Sequence, residues 1–126
     1  MSGLCVLALV SGLTWSLPDS RFTLSWIHSV ERVEWRETWA VETGRLRLLE
    51  ARVHGSGAGM EPGPGAQWEN GWWVWQPRPP LEVDRLELAR SGTVADYELC
   101  LTGTCRPLGV WLPGILPQEN VELSSC

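Results

Sequence analysis

The feature of this chain that most restricts its fold is a two-residue alternation of apolar and polar side chains. Phe22, Leu24 and Trp26 share one face of residues 21–28, and Val33, Trp35, Trp39 and Val41 share one face of residues 33–42. Successive side chains of a β-strand point to opposite faces, so this pattern predicts two strands. Residues 29–32 are then the connection of a hairpin.

Turn residues separate several further extended runs. Residues 45–53 form one run, although Leu46, Leu49 and Val53 also fit one face of a short helix; antiparallel neighbours favour a strand. Residues 72–75, 81–89, 93–101 and 105–112 are also predicted strands, and the glycine-rich residues 55–71 are a predicted loop. We therefore predict one all-β domain over residues 1–126, an antiparallel sandwich or small barrel of about seven to eight strands. Its tail, residues 113–126, is expected to be loosely held.

Nine tryptophans supply most of the aromatic surface of the chain. Each can bury on the order of 150–250 Å², so a few of them fill a small core. The alternative is a stacking surface of the carbohydrate-binding type made by Trp68, Trp72, Trp73 and Trp75. Since adjacent strand residues point apart, Trp72 and Trp73 cannot share a face.

The four cysteines do not have the spacing of a zinc site. A tight hairpin turning at Thr102 and Gly103 places Cys100 opposite Cys105 as a non-hydrogen-bonded pair, close enough for a disulfide. Pairing of Cys5 with Cys126 stays open. A disulfide favours an oxidising compartment.

Charge and composition exclude several classes of function. The net charge is −5, so a uniformly basic surface for nucleic acid is excluded. The chain has ten arginines and no lysine, which removes Schiff-base chemistry and a P-loop. The longest apolar run, residues 3–13, is too short to span a bilayer and follows no basic residue. We expect it to be a buried first strand without an export signal, and we expect no direct membrane insertion.

The densest polar group of residues comprises His28, Ser29, Glu31 and Glu37. Adjacent strand residues diverge, which argues against proton transfer from Ser29 to His28, and no nucleophile elbow is present. Two histidines and scattered carboxylates are a weak metal signal. Glu37 lies on the apolar face and needs a partner, for which His28 across the hairpin is a candidate.

A second candidate segment contains Gly57, Gly59 and Met60. Glycines at alternate positions permit close backbone approach, so their N–H groups could form an anion-binding nest. A glycine-rich strand corner explains the same residues equally well.

Together these segments resemble a bacterial family of domains of unknown function, number eighteen-fifty (DUF1850). The resemblance is carried by His28-Ser29-Val30-Glu31, Glu37, Glu50-Ala51-Arg52, Gly57-Ala58-Gly59-Met60, Asn70-Gly71-Trp72-Trp73 and the Cys100–Cys105 hairpin. It implies an association with TAXI-type TRAP transporters, which are solute-uptake systems with a membrane permease and an extracytoplasmic binding protein. No enzymatic activity or cofactor comes with the family.

The sequence thus predicts a non-enzymatic accessory or interaction subunit of such a transporter, partnered by its permease or solute-binding protein. The cysteine hairpin and the resemblance favour a periplasmic location. The candidate contact residues are His28, Ser29, Glu31, Glu37, Gly57, Gly59 and Met60. The alternative is a small-ligand or metal-binding module with its site near His28, Glu31 and Glu37.

Overall fold

Twelve β-strands and one helical turn make up the computed structural model, which describes residues 3–28, 32–55 and 62–126. The strands are β1 (Leu4–Ala8), β2 (Thr14–Leu17), β3 (Arg21–Ile27), β4 (Glu34–Glu42), β5 (Arg45–His54), β6 (Gln67–Glu69), β7 (Trp72–Trp75), β8 (Leu81–Val83), β9 (Arg85–Leu88), β10 (Glu98–Leu101), β11 (Thr104–Pro107) and β12 (Val121–Ser125), and the helical turn α1 is Leu108–Trp111.

The strands form two antiparallel sheets that pack as a sandwich, which confirms the predicted all-β class. The small sheet has the order β2-β1-β12-β9. The large sheet has the order β11-β10-β3-β4-β5-β7-β6, and β8 pairs with the free part of β5. The inner faces of both sheets share one apolar core. Its largest fully buried side chains are Trp39, Phe22, Leu4, Leu24, Leu46, Leu99, Leu108, Leu112 and Leu123.

The strand count exceeds the predicted seven to eight because one predicted run is divided and because β2, β6 and β12 form in residues that were not predicted as strands. Residues 81–89 supply β8 to the large sheet and β9 to the small sheet, so the chain changes sheets at Asp84. The predicted loop 55–71 contains β6, and the predicted strand 105–112 ends at Pro107, where α1 begins. Alternation alone does not show where a strand leaves one sheet for another.

Strand β5 contains a bulge that explains its ambiguous pattern. Thr38 pairs with Glu50 but Trp39 pairs with Leu48, so Leu49 is an extra residue in β5. The bulge shifts the alternation by one position. Leu46 and Leu48 before it, and Ala51 and Val53 after it, therefore all face the core. The helical spacing in this run results from a strand that changes phase.

The tail is not loosely held, contrary to the sequence expectation. Strand β12 lies between β1 and β9 in the small sheet. Val121 and Leu123 are completely buried. The expectation was wrong because the alternation of these two residues is short and follows a segment rich in proline and glycine.

Two disulfides close the fold. Cys100 lies opposite Cys105 in the predicted register and is bonded to it. The turn residues Thr102 and Gly103 have φ values of 49° and 78°, as a type I′ hairpin requires. Cys5 is bonded to Cys126, the pairing that the sequence left open.

Candidate functional site

The connection that follows β3 and the connection that follows β5 begin at the same end of the sandwich. Strand β3 ends and β4 begins at this end, and β5 also ends there. A Cβ atom added to Gly55 would lie 3.7 Å from Cγ1 of Val33, so the two connections are in contact range. We call this end, with residues 28, 32–33, 55 and 89–97, the loop end.

Only two of the seven predicted contact residues lie among the described residues. Ser29, Glu31, Gly57, Gly59 and Met60 lie outside them, whereas His28 and Glu37 are described.

His28 and Glu37 are not opposite each other, which corrects the predicted pair. His28 follows β3, and its N–H donates to the carbonyl oxygen of Val33 at 2.9 Å. Glu37 lies opposite Leu24, four residues back along β3. The hairpin register therefore keeps the imidazole away from the carboxyl group.

The Glu37 carboxyl group lies on the inner face of the large sheet. Its cross-strand neighbours are Leu24 and Ala51, both buried. Burial raises the pKa of Glu37, and a hydrogen bond from Trp39 Nε1 to Oε1, 3.1 Å long, partly opposes this. Within the described ranges, no arginine forms an ion pair with Glu37.

A row of four aromatic rings lies beside Glu37 on the same face; we call it the aromatic row. The ring centroids of Tyr97 and Trp26 are 5.8 Å apart, those of Trp26 and Trp35 are 6.3 Å apart, and those of Trp35 and Trp75 are 6.1 Å apart. All four side chains are only partly buried. Trp35 Nε1 is buried without a hydrogen-bond partner among the described residues.

A groove of about 490 Å³ opens at the loop end. Trp26, His28 and Tyr97 line one part of it, and Arg90 and Asp96 line another. The guanidinium group of Arg90 donates to both carboxylate oxygens of Asp96, each at 3.1 Å, and to the carbonyl oxygens of Leu116 and Glu119. Arg90 is thus held in place as part of the groove wall.

Trp72 lies on the outer face of the large sheet, and its neighbour Trp73 lies on the inner face, as predicted. The Trp72 ring contacts the His54 ring, and the guanidinium carbon of Arg36 lies 4.7 Å from its centroid. Arg36 and Arg52 are directly opposite each other, a repulsive arrangement for like charges. Ion pairs with Glu34 and Glu50 offset that repulsion. Structural roles therefore account for this cluster, and we do not assign it a binding function.

No three metal-binding side chains come together in the described part of the chain. No helix of residues 3–28, 32–55 and 62–126 is long and apolar enough to cross a membrane.

Sequence reasoning missed Tyr97, Arg90 and Asp96. Tyr97 was detectable, because it alternates with Leu99 and Leu101 on the inner face. Arg90 follows β9 in a short polar segment that carries no motif, so only the tertiary structure reveals its contacts.

Replacing Glu37 with glutamine is expected to stabilise the domain at neutral pH. The folded state binds the Glu37 proton more tightly than the unfolded state, so stability falls as pH rises from the ordinary value of 4.5 through the raised pKa. The amide keeps an acceptor for Trp39 and removes this dependence. Melting temperatures of parent and Glu37→Gln between pH 4 and 8 should diverge with rising pH. A difference that is constant with pH would contradict the assignment.

One family model matches the chain, over residues 22–108, and its description is "Domain of unknown function (DUF1850)". The matched segment runs from β3 to the start of α1 and includes the aromatic row, Glu37 and the Cys100–Cys105 hairpin. No curated protein and no solved structure shows significant similarity to the chain.

Proposed function

Because this chain belongs to the DUF1850 family, we propose that it is a non-enzymatic accessory subunit of a TAXI-type TRAP solute transporter. Its partner in this proposal is the membrane permease or the solute-binding protein. The transporter association comes from the resemblance described above. The proposed contact surface is the loop end together with Trp68, which pairs with Trp73 beside the end of β5.

The aromatic row is the observation that supports an interaction role most strongly. Four aromatic rings stay partly exposed on a sheet face that also contributes buried side chains to the core. Beyond the row, Trp68 packs edge-on against Trp73 with its side chain 52% exposed. Tryptophan and tyrosine are enriched at the energetic centres of protein interfaces, since they bury large areas with few rotatable bonds.

The two disulfides support a location outside the cytoplasm. Disulfides persist in oxidising compartments such as the bacterial periplasm. All four cysteines are bonded, so the fold uses every thiol that it has. A periplasmic domain can reach both the permease and the solute-binding protein.

A pull-down of the tagged protein from native membranes tests the proposal. We expect permease or solute-binding protein to copurify, and we expect Trp68→Ser to reduce its recovery about tenfold or more, the usual effect of losing an interface tryptophan. Leu81→Ser is the matched control, because Leu81 is 49% exposed in β8, away from the loop end. Recovery that is unchanged by Trp68→Ser would refute the contact surface, and normal solute uptake after gene deletion would refute the transporter role.

The groove at the loop end favours a second candidate, a small-ligand module. Its volume and its combination of aromatic and polar walls suit a small organic molecule. A rise in melting temperature on adding a transported solute, lost in Tyr97→Ala, would support this candidate.

A further inference from the structure

Two long segments without a charged residue meet at one corner of the sandwich. Residues 8–18 and residues 107–118 contain no aspartate, glutamate, arginine or histidine, although 20% of the chain is charged. Trp15 Nε1 donates to the carbonyl oxygen of Pro113, and a Cβ atom added to Gly114 would lie 3.5 Å from Leu13 Cδ1. The two segments therefore form one uncharged surface.

This surface exposes an unusual share of the apolar side chains. Five of the nine large apolar side chains that are exposed in the described part of the chain belong to these two segments. Leu9 is 41% exposed, Val10 75%, Leu13 42% and Leu116 48%. We call these four residues the apolar tip. Leu9, Val10 and Leu13 lie in the turn between β1 and β2, and Leu116 lies in the segment between α1 and β12. Val10 and Leu116 also border a shallow depression of about 320 Å³.

The backbone N–H groups of the β1–β2 turn do not depend on water for their hydrogen bonds. Every N–H group of residues 8–13 has an acceptor within the protein. Ala8 donates to Leu13 O (2.8 Å), Leu9 to Asn120 O (3.0 Å), Val10 and Ser11 to Glu119 Oε2 (2.8 Å for Val10), Gly12 to Ala8 O (3.0 Å) and Leu13 to Ser11 Oγ (3.4 Å). An exposed turn normally leaves such donors to water, and an unsatisfied donor is costly to move into an apolar phase.

The buried carboxylate of Glu119 organises this turn. Burial acts to raise its pKa, but the hydrogen bonds from Ser11, Val10 and Leu116 outweigh that effect and hold the pKa below its ordinary value. The carboxylate therefore remains an acceptor at neutral pH. Its contacts join the β1–β2 turn to the segment that carries Leu116.

We propose that the apolar tip inserts into the outer part of a lipid bilayer composed of neutral phospholipid. Protein interfaces carry about one hydrogen bond per 100–200 Å², and the tip has no free backbone donor between residues 8 and 13 to offer. The absence of basic residues from both segments and the net charge of −5 argue against anionic lipid. The sequence predicted no direct membrane insertion because residues 3–13 are too short to span a bilayer and follow no basic residue. The proposed contact departs from that prediction, since the tip enters only the outer part of the bilayer and does not span it. It is independent of the transporter proposal.

Sedimentation with phosphatidylcholine vesicles tests the proposal without any partner protein. We expect the folded, disulfide-bonded protein to partition onto the vesicles, and we expect Val10→Asp and Leu116→Asp each to weaken partitioning about tenfold or more, since each removes an inserted aliphatic side chain. Leu81→Asp is the matched control for Leu116→Asp, because the two leucines are 49% and 48% exposed. The control should bind like the parent protein.

Three outcomes would overturn the proposal. The first is no partitioning of the parent protein, which would indicate that the tip contacts another protein and not lipid. The second is equal loss in Leu81→Asp and Leu116→Asp, with melting temperatures confirming that both variants fold. The third is tighter binding to vesicles containing phosphatidylglycerol, because a charge-free tip gains nothing from anionic headgroups.

Discussion

Replacing both Cys5 and Cys126 with alanine is expected to lower the free energy of unfolding by about 5 kcal/mol. The bonded cysteines are separated by 121 residues, so their bond restricts nearly the whole unfolded chain. Chain-entropy arguments give the largest stabilisation for the longest closed loop. Since a domain is stable by roughly 5–15 kcal/mol, the variant should be close to unfolded at 37 °C. Urea unfolding of parent and variant measures the difference.

The second disulfide provides a matched control for this result. Cys100 and Cys105 are separated by only 5 residues, and the same argument gives about 2 kcal/mol for their bond. We therefore expect Cys100→Ala/Cys105→Ala to retain the fold with a smaller loss. Equal losses in the two double variants would show that loop entropy is not the source of the stabilisation.

Replacing Arg90 with methionine is expected to destabilise the domain by about 3–5 kcal/mol. The Arg90 side chain is 7% exposed and forms two hydrogen bonds with Asp96 and one each with two backbone carbonyls. Methionine fills much of the same volume but leaves the Asp96 carboxylate without its cation and both carbonyls without a donor. Thermal and urea unfolding of the variant measure the loss.

Two further variants separate the charge of Arg90 from its geometry. Lysine keeps the charge but cannot make the two parallel bonds to Asp96, so Arg90→Lys should recover only part of the stability. Arg106 is exposed in β11, and Arg106→Met should be neutral. If Arg90→Met were as stable as Arg106→Met, the Arg90 contacts would contribute nothing net.

The sequence predicted the parts of the fold that depend on local pattern. The alternation through residues 21–42 placed Trp35, Glu37 and Trp39 on the inner face, where the structure has them. The turn at Thr102 and Gly103 determined the register of the cysteine hairpin, because a two-residue loop leaves a single pairing. In both cases neighbours in sequence are also neighbours in space.

Features that depend on distant contacts were not predictable in the same way. The bulge at Leu49 is visible only once β4 is aligned with β5, since the pattern alone also fits a helix. The tail gains its place in the small sheet from β1 and β9, more than thirty residues away in either case. Glu37 was correctly placed on its face, but its hydrogen-bond partner is Trp39, two residues along the same strand, and not His28.

The bond between Cys5 and Cys126 also determines how the domain responds to mechanical force. Pulling on these two positions would otherwise extend the intervening 121 residues to roughly 400 Å. With the sulfurs joined, the load passes through a covalent bond and the hydrogen bonds between β1 and β12 carry none of it. With the disulfide intact, the domain therefore cannot be extended by tension applied between Cys5 and Cys126. After reduction, the same tension can separate β1 from β12 and unfold the chain.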